Sequence, residues 1–110
     1  MSTLDALSIL IIEDDEMVSK TLVKLTQKRP NTAITAAMNG KEAIQSIKSV
    51  AYDLIFLDLG LPDMNGVEIL KTALNDPESK SAKAMIVVMT GMPSVETAVE
   101  TGRGALRGRV

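Results

Sequence analysis

The chain has no cysteine, no histidine and no tryptophan, and only one tyrosine and one phenylalanine in 110 residues. Without cysteine there is no disulfide framework, thiolate zinc site or thiol nucleophile. Without histidine there is no Ser-His-Asp triad, no imidazole base and no phosphohistidine of its own. Tyr52 and Phe56 are too few to form a base-stacking platform. The formal charge of −2, from 12 basic and 14 acidic residues, creates no field that calls for nucleic acid or an anionic membrane. Neither a nucleic-acid nor a membrane partner is therefore expected. Long apolar runs are missing as well: the longest are strand-sized, and the opening MSTLDALS has no basic segment ahead of an apolar one. A cytoplasmic location is the expectation. Carboxylates, hydroxyls and lysines remain to carry any chemistry.

What is present fits a globular chain, with 45% apolar and 24% charged residues. The length suits one domain at roughly 100 to 200 residues each. We expect a single domain over residues 1–110, with its core at about 7–100 and an atypical Gly/Arg tail at 101–110. The run LSILII (7–12) reads as a buried strand that ends in the acidic cluster Glu13, Asp14, Asp15, Glu16. Met17, Val18, Leu22 and Leu25 recur at helical spacing until Arg29-Pro30-Asn31 stops the pattern, and Asp15 and Glu16 suit its N-terminal cap. Residues 32–37 give a weaker, alanine-rich strand, and an amphipathic stretch at 41–48 follows the Asn39-Gly40 turn.

YDLIFL (52–57) leads into Asp58, then LGLPDMNG supplies loop residues before the helical pattern Val67, Ile69, Leu70, Ala73. Asp63 belongs to that loop, exposed rather than ligating. AMIVVM (84–89) is a further strand, closed by Thr90-Gly91, with a short helix from Ser94 to about Glu100. The seven methionines, Met85 and Met89 among them, read as core or loop filling. Strands alternating with helices imply right-handed crossovers, a parallel sheet and an α/β architecture with helices on both faces.

In such a sheet, ligands bind at the C-terminal strand ends, beside the point where strand order reverses. Glu13, Asp14, Asp58 and Thr90 all fall at strand ends of that kind. Singly, each has an ordinary reading as a cap or turn residue; together they form a constellation. Carboxylates 4 Å apart repel by roughly 4 kcal/mol per pair at an effective dielectric near 20. Proton uptake relieves this, and so does a hard cation such as Mg2+, which suits an all-oxygen donor set. With a divalent cation in place, a carboxylate can take a phosphoryl group as nucleophile.

The motifs ILIIEDDE, DLIFLDLGLPDMNG and IVVMTG, in this order and spacing, resemble the receiver domain of two-component response regulators over about residues 7–100. The resemblance implies a flavodoxin-like, doubly wound parallel sheet in the order 2-1-3-4. It implies Asp58 as phospho-acceptor, with Asp14, Asp58 and the Gly60 carbonyl as direct Mg2+ ligands and Glu13 as an outer acid acting through water. Thr90 corresponds to the family's hydroxyl switch. The implied donor is a histidine kinase or phosphotransfer protein, and the chain is a recipient rather than an enzyme.

The ending ETGRGALRGRV departs from the family pattern, which continues into a fifth strand carrying Lys-Pro and a fifth helix. Both are expected to be lacking, and with them the phosphoryl-pairing lysine. Lys80 and Lys83 precede the fourth strand and so emerge at the wrong end of the sheet, while Arg103, Arg107 or Arg109 could fold back on the site. An uncovered fourth strand would be an apolar sheet edge, so homo-oligomerisation through it is expected. Two other functions stand beside the phospho-accepting one. In the first, the chain is mainly a protein-interaction or self-association module. In the second it is a metal-dependent phosphohydrolase, whose usual second acid, two residues after the nucleophile, would fall at Gly60.

Overall fold

A computed structural model describes residues 6–89 and a two-residue strand at 108–109. The elements in order are β1 (Leu7–Ile12), α1 (Glu16–Gln27), β2 (Thr32–Ala37), α2 (Gly40–Ser49), β3 (Leu54–Asp58), α3 (Gly66–Asn75), β4 (Met85–Met89) and β5 (Gly108–Arg109). The strands form one parallel sheet, β2-β1-β3-β4-β5. The order 2-1-3-4 is the one expected. The helix expected at 94–100, Thr90, and the side chains of Arg103, Arg107 and Arg109 lie outside the described residues.

The expectation that no fifth strand stands beyond β4 needs correction. Gly108 pairs with Val87 and Arg109 with Val88, in parallel register. Two residues without an apolar run give no periodic signal, which is why the sequence pattern misses this strand. It occupies part of the β4 edge on which the expectation of self-association rests.

Alternation along the strands divides the core. Leu10 and Ile12 of β1, Ile55 and Leu57 of β3, and Ile86 and Val88 of β4 face Ala43 and Ile47 of α2 and Ile69, Leu70 and Ala73 of α3, all buried together. Ile9 and Ile11, also buried, turn to the opposite face, where α1 packs across β1 and β2. The contact α1 makes differs from the apolar stripe read in the sequence. Ser19 is buried and Leu22, Val23 and Thr26 are half-buried, while Met17 and Leu25 are 79% and 56% exposed. Met85 is 50% exposed at the start of β4 rather than filling the core.

Among the described residues, each helix starts on a side-chain cap. Asp15 accepts from the Met17 and Val18 amides, Asn39 from Glu42, and Asn65 from Val67. The caps fix where each loop at the C-terminal edge of the sheet becomes helix.

Candidate functional site at the strand ends

β1 lies between β2 and β3, so the chain leaves β2 and crosses over β1 to reach β3. Ile12 pairs with Leu57, which sets the next residue of each strand, Glu13 and Asp58, side by side at the C-terminal edge. The Glu13 amide donates to the Ala37 carbonyl at 3.0 Å, so the backbone remains extended for one residue past β1 and carries that side chain inward. One carboxylate oxygen from each of Glu13, Asp14 and Asp58 lies within 4.8 Å of the other two. Glu13 is buried, Asp58 half-buried and Asp14 exposed, so the cluster grades from interior to solvent.

Glu13, Asp14 and Asp58 are brought together. Gly60 is tied to them through Asp58, whose Oδ1 accepts from the Gly60 amide at 2.9 Å. Thr90 directly follows Met89, and Met89 pairs with Asp58 in the sheet. Asp15, beside the cluster in sequence, is committed to capping α1 at 2.9 and 3.2 Å.

The electrostatics favour a cation. Burial is the largest influence on Glu13 and, with the neighbouring Asp58 and Asp14 carboxylates, pushes its carboxyl up to about 7, against an opposing hydrogen bond from the Asp15 amide. The ion pairs Lys20–Glu16, Lys48–Asp76 and Lys48–Glu78 engage acids elsewhere. Three oxygen donors of one sign, one of them buried, fit a hard divalent cation.

The loop after β3 is held at several points. Leu59 donates to Met89 at 3.2 Å, and Gly66 donates back to Leu59 at 3.2 Å. Leu61 is buried in the core cluster, with Met64 packed against it. Asp63 is exposed, as expected of a loop residue, yet both its oxygens are used: they accept from the Gly40 amide at 2.7 Å and the Lys41 amide at 3.1 Å at the start of α2. No local pattern announces this contact, because the partners are 23 and 22 residues apart.

A family model described as the response regulator receiver domain matches residues 9–106. The chain belongs to that family. The receiver domain is 32% identical over 100 residues to the cell cycle transcriptional regulator CtrA of Caulobacter vibrioides, covering 87% of this chain and 39% of that protein. It is 33% identical over 91 residues to the cell cycle response regulator CtrA of Brucella ovis, covering 83% of this chain and 37% of that one. The receiver domain thus spans well under half the length of these relatives.

Among solved structures, the receiver domain superposes on a response regulator from Burkholderia pseudomallei that carries a phosphorylated aspartic acid, a calcium ion and citrate. The TM-score is 0.83 and the identity 25%, covering 94% of this chain and 58% of that one. The signal receiver domain of a DNA-binding response regulator from Colwellia psychrerythraea gives 0.84 at 26% identity, covering 94% and 83%. Among the described residues, no helix is long and apolar enough to cross a membrane.

Proposed function

We propose that this chain is a phospho-accepting receiver of a two-component phosphorelay, with Asp58 as the acceptor. The observation that carries the reading is the convergence of Glu13, Asp14 and Asp58 within 4.8 Å at the ends of adjacent strands, in a chain of the receiver family. The phosphorylated aspartic acid and divalent ion of the Burkholderia pseudomallei relative support it.

Asp14, Asp58 and the Gly60 carbonyl would hold Mg2+ directly, with Glu13 acting through water. The bound ion would offset the charge on the transferring phosphoryl oxygens. Asp58 Oδ1 is engaged by the Gly60 amide, which leaves the second oxygen to attack phosphorus. In that step a P–O bond forms to Asp58 while the P–N bond of a donor phosphohistidine breaks and its nitrogen keeps the electron pair. A histidine kinase or phosphotransfer protein must supply that donor, because the chain has no histidine. Asp58 is a stoichiometric recipient in this scheme, not the centre of a turnover enzyme. Thr90 would then donate its hydroxyl to a phosphoryl oxygen, a bond worth roughly 1.5 to 3 kcal/mol and sufficient to bias a two-state loop.

The setting proposed is the cytoplasm, with residues 1–110 forming one receiver domain that makes no nucleic-acid or membrane contacts of its own. It would self-associate through the part of the β4 edge that β5 leaves unpaired. Light scattering checks the last point, and a strictly monomeric chain at high concentration removes it. The principal test is labelling by a small phosphodonor. Acid-labile label should require Mg2+, vanish with a chelator and be lost in Asp58→Ala. Label that persists in that variant overturns the assignment.

A further inference from the structure

All three first-turn amides of α2, those of Gly40, Lys41 and Glu42, are taken by side chains. An α-helix begins with unpaired backbone amides that side chains or water must satisfy. Asn39 supplies the ordinary cap, its Oδ1 accepting from Glu42 at 2.9 Å, while Glu42 reaches back to accept from the Met38 amide at 2.8 Å. The two remaining first-turn amides, Gly40 and Lys41, are taken by Asp63 from the far side of β3.

The contact continues into the next residue. A Cβ on Gly40 would run into the Met64 side chain at Cγ and Sδ, so the loop after β3 is seated directly against the helix start and Met64 would have to move for any larger residue there. This loop begins at Asp58 and carries Gly60.

Resting on the receiver reading above, we propose that Asp63 and Gly40 form a latch that holds the Gly60 backbone in place for Mg2+, making Asp63 a positioning residue of the site. Asp63 never touches the ion. It fixes the middle of the loop, while the Asp58–Gly60 and Leu59–Gly66 hydrogen bonds fix its beginning and end. With the latch released, the Gly60 carbonyl loses its aim while Asp14 and Asp58 keep theirs, so metal affinity falls without the site being abolished. Groups that hydrogen-bond a metal ligand directly are typically worth about 10- to 100-fold in metal affinity, and Asp63, which acts through the loop backbone, should fall at the lower end of that range.

The test compares four chains by Mg2+ calorimetry, urea unfolding and phosphodonor labelling across a Mg2+ series. Asp63→Ala should bind Mg2+ about tenfold more weakly, with a labelling rate that recovers at saturating Mg2+. Gly40→Ala, which leaves Asp63 intact but displaces Met64, should show the same shift. Asn39→Ala removes the helix's own cap and should lose stability while keeping the affinity of the unaltered chain. Equal weakening in Asn39→Ala and Asp63→Ala would reduce the effect to general destabilisation and overturn the proposal. An unaltered chain that binds Mg2+ and an Asp63→Ala chain that matches it overturn the latch alone. An unaltered chain that binds no Mg2+ overturns the Mg2+-dependent phospho-accepting reading and the latch with it.

Discussion

Glu13 Oε2 accepts a hydrogen bond from the Asp15 amide at 3.0 Å, which turns a buried carboxylate back towards its own chain beside Asp14 and Asp58. Burial outweighs that bond, and with the two aspartates it lifts the Glu13 carboxyl from 4.5 to about 7. Between those values the folded chain holds a proton that the unfolded chain has released, so stability falls as pH rises through this window. The metal-free protein should therefore melt at a higher temperature at pH 6 than at pH 8. Mg2+ must displace the proton, so its affinity should drop about tenfold from pH 8 to pH 6. Calorimetry at the two values checks this, and Glu13→Gln should flatten both dependences.

The glycines of the loop after β3 differ in what they tolerate. A Cβ on Gly66 would stand 2.6 Å from Leu59 Cα and 2.9 Å from the Asp58 carbonyl oxygen, both backbone atoms with no room to yield. Gly66→Ala should cost about 1 to 3 kcal/mol in urea unfolding and weaken Mg2+ binding, because the displaced backbone carries Asp58. At Gly60 the nearest atom is Asp58 Oδ1 at 3.7 Å, an ordinary contact. Gly60→Ala should stay within about 0.5 kcal/mol of the unaltered chain and keep its Mg2+ affinity, since the carbonyl is a backbone group.

The strands and the gathering of the acids at one edge were legible because LSILII, YDLIFL and AMIVVM are continuous apolar runs whose ends carry the polar residues, and a parallel sheet brings those ends to one edge, whereas the order 2-1-3-4 was implied by the resemblance to receiver domains. Asp15 was separable from Asp14 because a cap has a fixed place relative to the helix it opens. Contacts set by tertiary packing left no local trace: the Asp63 cap on α2 spans 23 residues, and α1 packs through Ser19 rather than through Met17 and Leu25.

Ser81 is another long-range contact of this sort. Its hydroxyl accepts from the Tyr52 amide at 3.0 Å and donates to the Val50 carbonyl at 2.8 Å, and the residue is 1% exposed. It ties the connector before β3 to the one before β4. Ser81→Ala leaves the buried Tyr52 amide without this partner and takes the hydroxyl from the part-buried Val50 carbonyl, and should cost about 1 to 3 kcal/mol in urea unfolding, with Mg2+ affinity unchanged because the site lies at the other end of the strands. A loss below about 0.5 kcal/mol would mean that water replaces the hydroxyl.

Asp63 gives an acid-side prediction of opposite sign to that of Glu13. The Gly40 amide, more than any other group, holds its carboxyl below the ordinary 3.8, with the Lys41 amide adding to the effect. A depressed carboxyl contributes stability that is fully present above the unfolded value and disappears as pH falls through the folded one. The melting-temperature gap between the unaltered chain and Asp63→Asn should therefore be widest at pH 5 and above and close progressively below about pH 3.8. Thermal melts from pH 2.5 to 6 measure it. A gap that stays constant through the acid range would mean that the charge on Asp63 contributes nothing and that the amide hydrogen bonds alone secure the loop to α2.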